Sequence, residues 1–274
     1  MKKFVAKDPH GQITRGKTAR NRLRRVDNWL LMHESALLRR NDGDYAKAWY
    51  VDLGYGAEPF TTLESAHRLR KVHPNLPVLG VEIDPERVQT ALPYEDDKTK
   101  FRLGGFNLPL GVGDRVKIIR AFNVLRQYDE TQVIEAHSVL LNQLLPGGLL
   151  LEGTSDPFGQ VWVANVIRKT QAEPHSITPT STGLLFSTNF HSGFDPALFQ
   201  PVLPKNYIHY MQPGERIYQF MEAWKFCARQ TVSLRTLGLR QWFAQTARNL
   251  QEHGYKLDLR ERYLKLGYLF WLVE

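Results

Sequence analysis

The run Val51-Asp52-Leu53-Gly54-Tyr55-Gly56-Ala57-Glu58 constrains the fold more than any other feature of this chain. It joins an apolar segment, residues 48–53, to a stretch of helical spacing, residues 57–72, in which Leu63, Ala66, Leu69 and Val72 share a face. Pro74 and Pro77 end that stretch, and a second apolar strand follows, Val78-Leu79-Gly80-Val81-Glu82-Ile83-Asp84. A glycine-rich turn between strand and helix lets backbone approach a ligand closely. A carboxylate at the tip of the next strand can grip a ribose. Together they describe a nucleoside cofactor lying across the carboxyl ends of a parallel sheet.

The pattern continues in alternation. Asp84-Pro85 opens a short helix, with an N-cap followed by proline at the first helical position. A third strand is predicted near residues 101–103 and a fourth at 116–122. A helix follows from about Glu130 to Leu145, ended by Pro146-Gly147-Gly148, and then a fifth strand, residues 149–152. Residues 161–168 and 184–190 read as an antiparallel addition to the sheet, joined by a Pro-, Ser- and Thr-rich linker at 170–182. Residues 215–253 read as helical and 268–273 as a final buried strand. Ahead of all this, residues 1–20 read as irregular and 21–40 as a helix stopped by Asn41-Asp42-Gly43-Asp44. The fold class is therefore α/β, a Rossmann-like doubly wound, mostly parallel sheet with an N-terminal helical arm and a C-terminal helical extension. The expected division is a basic arm and helix, residues 1–44, and a domain at 45–274 with its cofactor core at 48–156 and acceptor-side elements at 157–274.

The turn does not fit a dinucleotide fingerprint. Pro59 stands where a third glycine or alanine belongs, and Glu82 comes late after Gly54. The turn, the Glu82 tip, the tract Asn123-Val124-Leu125 after strand four and Leu145-Pro146-Gly147-Gly148-Leu149-Leu150-Leu151-Glu152-Gly153 at strand five resemble the class I S-adenosylmethionine-dependent methyltransferases. The resemblance covers residues 48–156 and implies an enzyme that transfers a methyl group from S-adenosyl-L-methionine. It places Asp52 near the methionine amine, Gly54, Tyr55 and Gly56 beneath the homocysteine and ribose, and Glu82 on the ribose hydroxyls. Ile83 and Asp84 follow toward the adenine, where capping of the next helix explains Asp84 equally well. Two departures stand out: Glu58 replaces the usual third glycine, and Gly104-Gly105-Phe106-Asn107 replaces an acidic adenine reader. Phe106 is then expected to stack on adenine, and Asn107 or a backbone group to hydrogen-bond it.

Methyl transfer rests chiefly on positioning and exclusion of water, with a general base where the acceptor needs one. The candidate catalytic residues near the strand tips are Asn123, Glu152 and Asp156, beside Tyr128; Asp156-Pro157 also reads as a plain turn. An Asn-Pro-Pro-Tyr tract is missing, and no cysteine lies near these tips. The histidines have no metal-ligand spacing, so no catalytic metal is expected.

Charge supplies the acceptor expectation. Residues 1–25 hold nine Lys/Arg against Asp8 alone, which equals the whole net charge of +8. Arg15, Lys17, Arg20, Arg22, Arg24 and Arg25, mixed with hydroxyl and amide donors, suit phosphate recognition. RNA is thus the first acceptor to consider. A small molecule or protein side chain is the alternative, and a non-catalytic nucleotide- or RNA-binding protein of the same fold is the rival from another class. An arm folded over the cofactor cleft would serve the same charge differently. The Pro-rich segment 194–206 reads either as a pocket wall or as packing between layers. The lone Cys227 excludes an internal disulfide, and no apolar run reaches membrane-spanning length, so a cytoplasmic protein without membrane partners is expected. Nothing in the sequence bears on oligomeric state.

Overall fold

The computed structural model describes residues 8–170 and 179–273. Its strands are β1 (Trp49–Leu53), β2 (Val78–Glu82), β3 (Thr99–Leu103), β4 (Val116–Phe122), β5 (Leu144–Ser155), β6 (Val161–Lys169), β7 (Pro179–Thr188), β8 (Leu257–Asp258) and β9 (Tyr268–Trp271). The helices are α1 (Arg24–His33), α2 (Ser35–Arg39), α3 (Phe60–Leu69), α4 (Pro85–Ala91) and α5 (Glu130–Gln143), then α6 (Lys205–Ile208), α7 (Arg216–Gln230), α8 (Leu239–Glu252) and α9 (Glu261–Leu264). All the strands belong to one sheet, ordered β3-β2-β1-β4-β5-β6-β7-β9-β8.

Strands β1 to β5 run parallel. The chain moves outward from β1 to β2 and β3, then crosses back to β4 on the other side of β1. The order therefore reverses between β1 and β4, and a crevice opens at the carboxyl ends of these two strands. Beyond β5 each pairing is antiparallel, so residues 161–168 and 184–190 do extend the sheet as the sequence suggests.

The central strands are covered on both faces, which is why they read as continuous apolar runs. Within β1 and β4, Tyr50 and Ile118 face one layer while Val51 and Ile119 face the other. The first layer contains Trp29 and Leu30 of α1 with Ala66 and Leu69 of α3. The second contains Val133, Ala136 and Leu140 of α5. Leu23, Val26, Leu37 and Leu38 share the first cluster with Trp162, so the segment 23–38 packs into the core of the rest. A third cluster lies under α7 and α8, where Phe220 stacks on Trp271 at 4.1 Å.

Several boundaries differ from the sequence expectation for visible reasons. The helix expected at 21–40 breaks at Glu34, which leaves helical geometry and turns its buried carboxylate to Arg168 at 2.5 Å. The helix expected at 215–253 divides where Gly238 takes φ +110°. Helix α3 starts at Phe60 rather than Ala57, because Pro59 holds the N-cap and keeps the glycine turn open. Among the described residues no helix is long and apolar enough to cross a membrane.

Candidate functional site

Gly54 and Gly56 stand at the tip of β1 with φ +72° and +92°, a region that side chains other than glycine's rarely enter. A Cβ on Gly54 would lie 2.5 Å from Val124 Cγ2, and one on Gly56 2.9 Å from the Gly16 carbonyl oxygen. Glu82 ends β2 and is buried. Its carboxylate accepts hydrogen bonds from Gly56 N (3.0 Å), Ile83 N (3.0 Å) and Asp84 N (3.4 Å). Arg87 lies 3.5 Å away. Burial raises the Glu82 pKa, against the pull of the Gly56 N–H and Arg87. Asp84 accepts from Glu86 N at 2.9 Å and so caps α4, the second of its two expected readings.

Asp52, one strand over, is already fully engaged. Thr61 Oγ1 and Thr62 Oγ1 each donate to its Oδ2 at 2.8 Å, and Arg120 Nη2 lies 2.8 Å from the same atom. Arg120 is wholly buried on β4 and also donates to Asp27 Oδ1 at 2.6 Å and Ser65 Oγ at 2.6 Å. Burial alone would lower the guanidinium's pKa, but Asp52, Tyr50 and Asp27 outweigh it and raise it. The sequence reading missed Arg120 and Asp27. The signal was an arginine inside the apolar run Val116–Phe122.

The basic arm lies across the strand tips. His10 N donates to Asn107 Oδ1 at 2.7 Å, and Phe106 N donates to the His10 carbonyl at 2.8 Å. Tyr128 OH bonds the Gln12 backbone, Arg87 Nη2 donates to the Thr14 carbonyl at 2.9 Å, and Ala57 N donates to the Gly16 carbonyl at 2.9 Å. Asn107 thus binds the arm, and the Phe106 ring meets Tyr128 edge-on at 5.2 Å. Gly11, Gln12 and Thr14 line a cavity with Gly54, Glu82, Ile83 and Phe106, and that cavity measures only about 20 Å³. The arm fills the space at which the sequence places a nucleoside.

A larger pocket of about 370 Å³ lies beside it, over the reversal point between β1 and β4. It is lined by Asp52, Gly54, Tyr55, Gly56 and Asn123, and by Arg15, Lys17, Arg22 and Arg126. Asn123 takes φ +61°, accepts from Ser155 N at 3.0 Å and donates to Ser155 Oγ at 3.2 Å. The other two catalytic candidates sit elsewhere. Glu152 is buried, accepts from Asn165 Nδ2 at 2.7 Å and lies 3.5 Å from His137 Nε2. Asp156 accepts from the backbone N–H groups of Phe158, Gln160 and Val161 at 2.6, 3.2 and 2.6 Å, which is turn capping.

The six basic residues of the arm are not brought together. Arg15, Lys17 and Arg22 reach the pocket. Arg20 lies over the Phe60 ring at 4.0 Å, and Arg24 is exposed. Arg25 turns inward, donating to Ser187 Oγ at 2.9 Å and the Leu266 carbonyl at 2.6 Å. Arg126 belongs with the pocket set and was passed over in the sequence, although it sits within the tract after strand four. Among the described residues, no group of three or more His, Cys, Asp or Glu is placed to hold a metal ion.

The strand order, its reversal between β1 and β4 and the glycine turn define a Rossmann-like α/β fold with a mostly parallel sheet. Solved structures similar to it include the magnesium protoporphyrin IX methyltransferase of Synechocystis PCC 6803, at 16% identity over 48% of this chain and 54% of that one, with TM-score 0.36. Human N-acetylserotonin methyltransferase matches at 21% identity over 48% and 36% of the two chains, TM-score 0.32. The N-methyltransferase NodS of Bradyrhizobium japonicum WM9 matches at 16% identity over 49% and 68%, TM-score 0.33. The chain spans about half the length of the first of these and about a third of the second. No protein-family model and no curated protein sequence matches it.

Proposed function

We propose that the protein is an S-adenosylmethionine-dependent methyltransferase acting on a small-molecule acceptor. The observation that carries this reading is one arrangement: the Gly54–Gly56 turn stands at the strand-order reversal and lines a pocket of about 370 Å³, with Glu82 at the tip of the neighbouring strand bonded to Gly56 N. Ligands of open α/β sheets bind at such a point. The residues present suit the donor: a glycine turn at positive φ, a strand-tip carboxylate and, at the third strand, backbone N–H groups next to Phe106. Bound there, S-adenosylmethionine would supply an electrophilic sulfonium methyl group. The chain's own part is to position the acceptor and exclude water.

Entry of the donor requires Gly11 to Thr14 to withdraw, since they leave about 20 Å³ beside Glu82 and Ile83. Once withdrawn, the Phe106 N–H is released from the His10 carbonyl. Among the described residues no carboxylate or imidazole in the larger pocket is free to serve as general base, because the one acidic residue among them, Asp52, is held by Arg120, Thr61 and Thr62. The acceptor must therefore be nucleophilic without help, or lose its proton to water. A pocket of this volume supports a small acceptor over RNA, as does the dispersal of the arm's cations.

The occupied nucleoside space and the engaged Asp52 favour one second reading, a protein of this fold that binds no methyl donor. Calorimetry with S-adenosylhomocysteine separates the two. Saturable binding that weakens about ten-fold or more in Glu82→Ala, through loss of a charged acceptor, supports the methyltransferase. A folded protein that binds neither donor nor product supports the second reading.

A further inference from the structure

Outside the large pocket, the described arginines of this protein commonly pair with acids. Arg68 holds Asp27 at 2.9 Å, Arg102 holds Asp114 at 2.7 Å, and Arg168 holds Glu34 at 2.5 Å. Around the pocket that pattern stops. Arg15, Lys17, Arg22 and Arg126 converge on it from two segments of chain, and among the described residues none of them forms an ion pair. Asp52, the one acid in the lining, has its charge taken by Arg120 at 2.8 Å. Among the described residues the cavity therefore carries more positive than negative charge, although Asp156 offsets part of the charge of Arg22. Convergent like charge in a concave, partly dry site is costly unless a ligand of opposite sign fills it.

Two details sharpen the chemistry. Arg22 is half-buried and fixed: its Nε donates to Ser155 Oγ at 3.0 Å and the Asp156 carbonyl at 3.1 Å, and its Nη1 and Nη2 donate to the carbonyls of Lys17 at 3.0 Å and Ser155 at 3.2 Å. A guanidinium has N–H bonds to spare after these, and they are held without rotamer freedom. Thr18 also lines the pocket, and its Oγ1 is buried with no hydrogen-bond partner. That hydroxyl is out of a ligand's reach as it stands, so the oxyanion donors are the fixed guanidinium and the flexible cations.

We propose that this pocket is an oxyanion site that holds the carboxylate or phosphate of a small acceptor, with Arg22 as the fixed element and Lys17, Arg15 and Arg126 as closing cations. The site itself follows from the converging charges and the anchored Arg22. Its assignment to the acceptor rests on the methyltransferase reading. A nucleic-acid backbone is disfavoured by the same geometry, because its repeating phosphates need an open strip while these cations close on one cavity. The chain's other arm cations are spent elsewhere, Arg20 over Phe60 and Arg25 on Ser187 and Leu266.

The test uses the full chain at low ionic strength, with inorganic phosphate as the probe followed by calorimetry. Saturable phosphate binding is expected. It should weaken by about ten-fold in the Lys17→Ala/Arg126→Ala double variant, since both side chains are exposed and their loss leaves the fold intact. Arg24→Ala, on the same arm but away from the pocket, should change it by less than about two-fold. Phosphate should bind equally when S-adenosylhomocysteine is also present. Absence of saturable binding would overturn the proposal. So would an equal loss in Arg24→Ala, which means a diffuse field, or competition between phosphate and S-adenosylhomocysteine, which means that the cations serve the donor's own carboxylate. A single-stranded RNA oligonucleotide that binds far more tightly than phosphate and depends on Arg24 would overturn it in favour of nucleic acid. Phosphate binding as described, without any S-adenosylhomocysteine binding, would leave the oxyanion site standing and remove the methyltransferase reading instead.

Discussion

Arg120 is the side chain on which the centre of the sheet depends most. It is fully buried and neutralises two carboxylates, Asp27 at 2.6 Å and Asp52 at 2.8 Å. Removing one partner of such a set leaves uncompensated buried charge, at a cost of about 3–5 kcal/mol. Arg120→Met is therefore expected to shift the urea midpoint strongly downward at neutral pH, and an unshifted midpoint would show that water reaches the pair. Lys117, three positions earlier on the same strand, carries an opposite signature. Its Nζ lies among the carbonyl oxygens of Leu38, Arg40 and Tyr45, and burial lowers its pKa to about 8. The unfolded chain keeps an ordinary lysine near 10.4. Between these values the unfolded state binds more protons, so stability rises with pH across that window and the penalty is full below it. His73, 3.4 Å from Nζ, has its own pKa lowered from the ordinary histidine value and titrates in more acid solution, outside this window. Thermal melts of the wild type should gain stability from pH 8 to pH 10 relative to Lys117→Met; parallel profiles for the two proteins would show that Lys117 titrates normally.

The segment from His10 to Thr18 was the hardest part of the molecule to read in advance. Strand and helix periodicity made β1, α3, β2, β4 and α5 legible, because each buries a regular apolar pattern against a neighbour, while the Asp84-Pro85 cap marked α4. The glycine turn and Glu82 were legible because a turn at positive φ admits few residues. The arm has no periodicity. It is held by backbone groups, His10 to Phe106, Gln12 to Tyr128 and Gly16 to Ala57, and backbone hydrogen bonding leaves little trace in side-chain sequence. The same reason hid the fate of Asn107, which looked like an adenine contact and holds the arm through the His10 N–H and the Asp8 carbonyl. Gly54 was read as making room for a ligand, and its missing Cβ also makes room for Val124. If the arm must leave before a donor enters, apparent affinity is reduced by the fraction of time it spends closed. Truncation of residues 1–13 removes the His10 and Gln12 contacts, each worth ~1 kcal/mol, and should tighten S-adenosylhomocysteine binding by about five-fold or more while speeding association in stopped flow. Weaker binding by the truncated protein would instead make the arm part of the donor site.

The distribution of charge over the molecule decides between acceptors. The +8 equals the charge of residues 1–25, so any polyanion should meet that segment first. An RNA-binding arm would present its cations outward as a row, and each phosphate contact would steepen the log–log salt dependence by about 0.7 for a single strand. Folding distributes them otherwise. Arg22 and Arg25 are anchored on Ser155, Asp156, Ser187 and Leu266; Arg15, Lys17 and Arg22 line a cavity, and Arg20 lies on Phe60. Arg24 alone of the six is exposed away from the pocket without such a contact. Single-stranded RNA is therefore expected to bind weakly, with a salt slope no steeper than about −1.5. Neutralising Arg20 and Arg24 together should leave stability unchanged, whereas neutralising Arg22 and Arg25 should lower it, because those two leave buried acceptors unmet. Filter binding across a salt series, paired with urea unfolding of the two double variants, reads both quantities. A steep slope that flattens in the Arg20/Arg24 variant would return RNA to first place as the acceptor. A shallow slope in every variant, with stability lost only at Arg22 and Arg25, fits a chain whose basic arm is part of its own folded site.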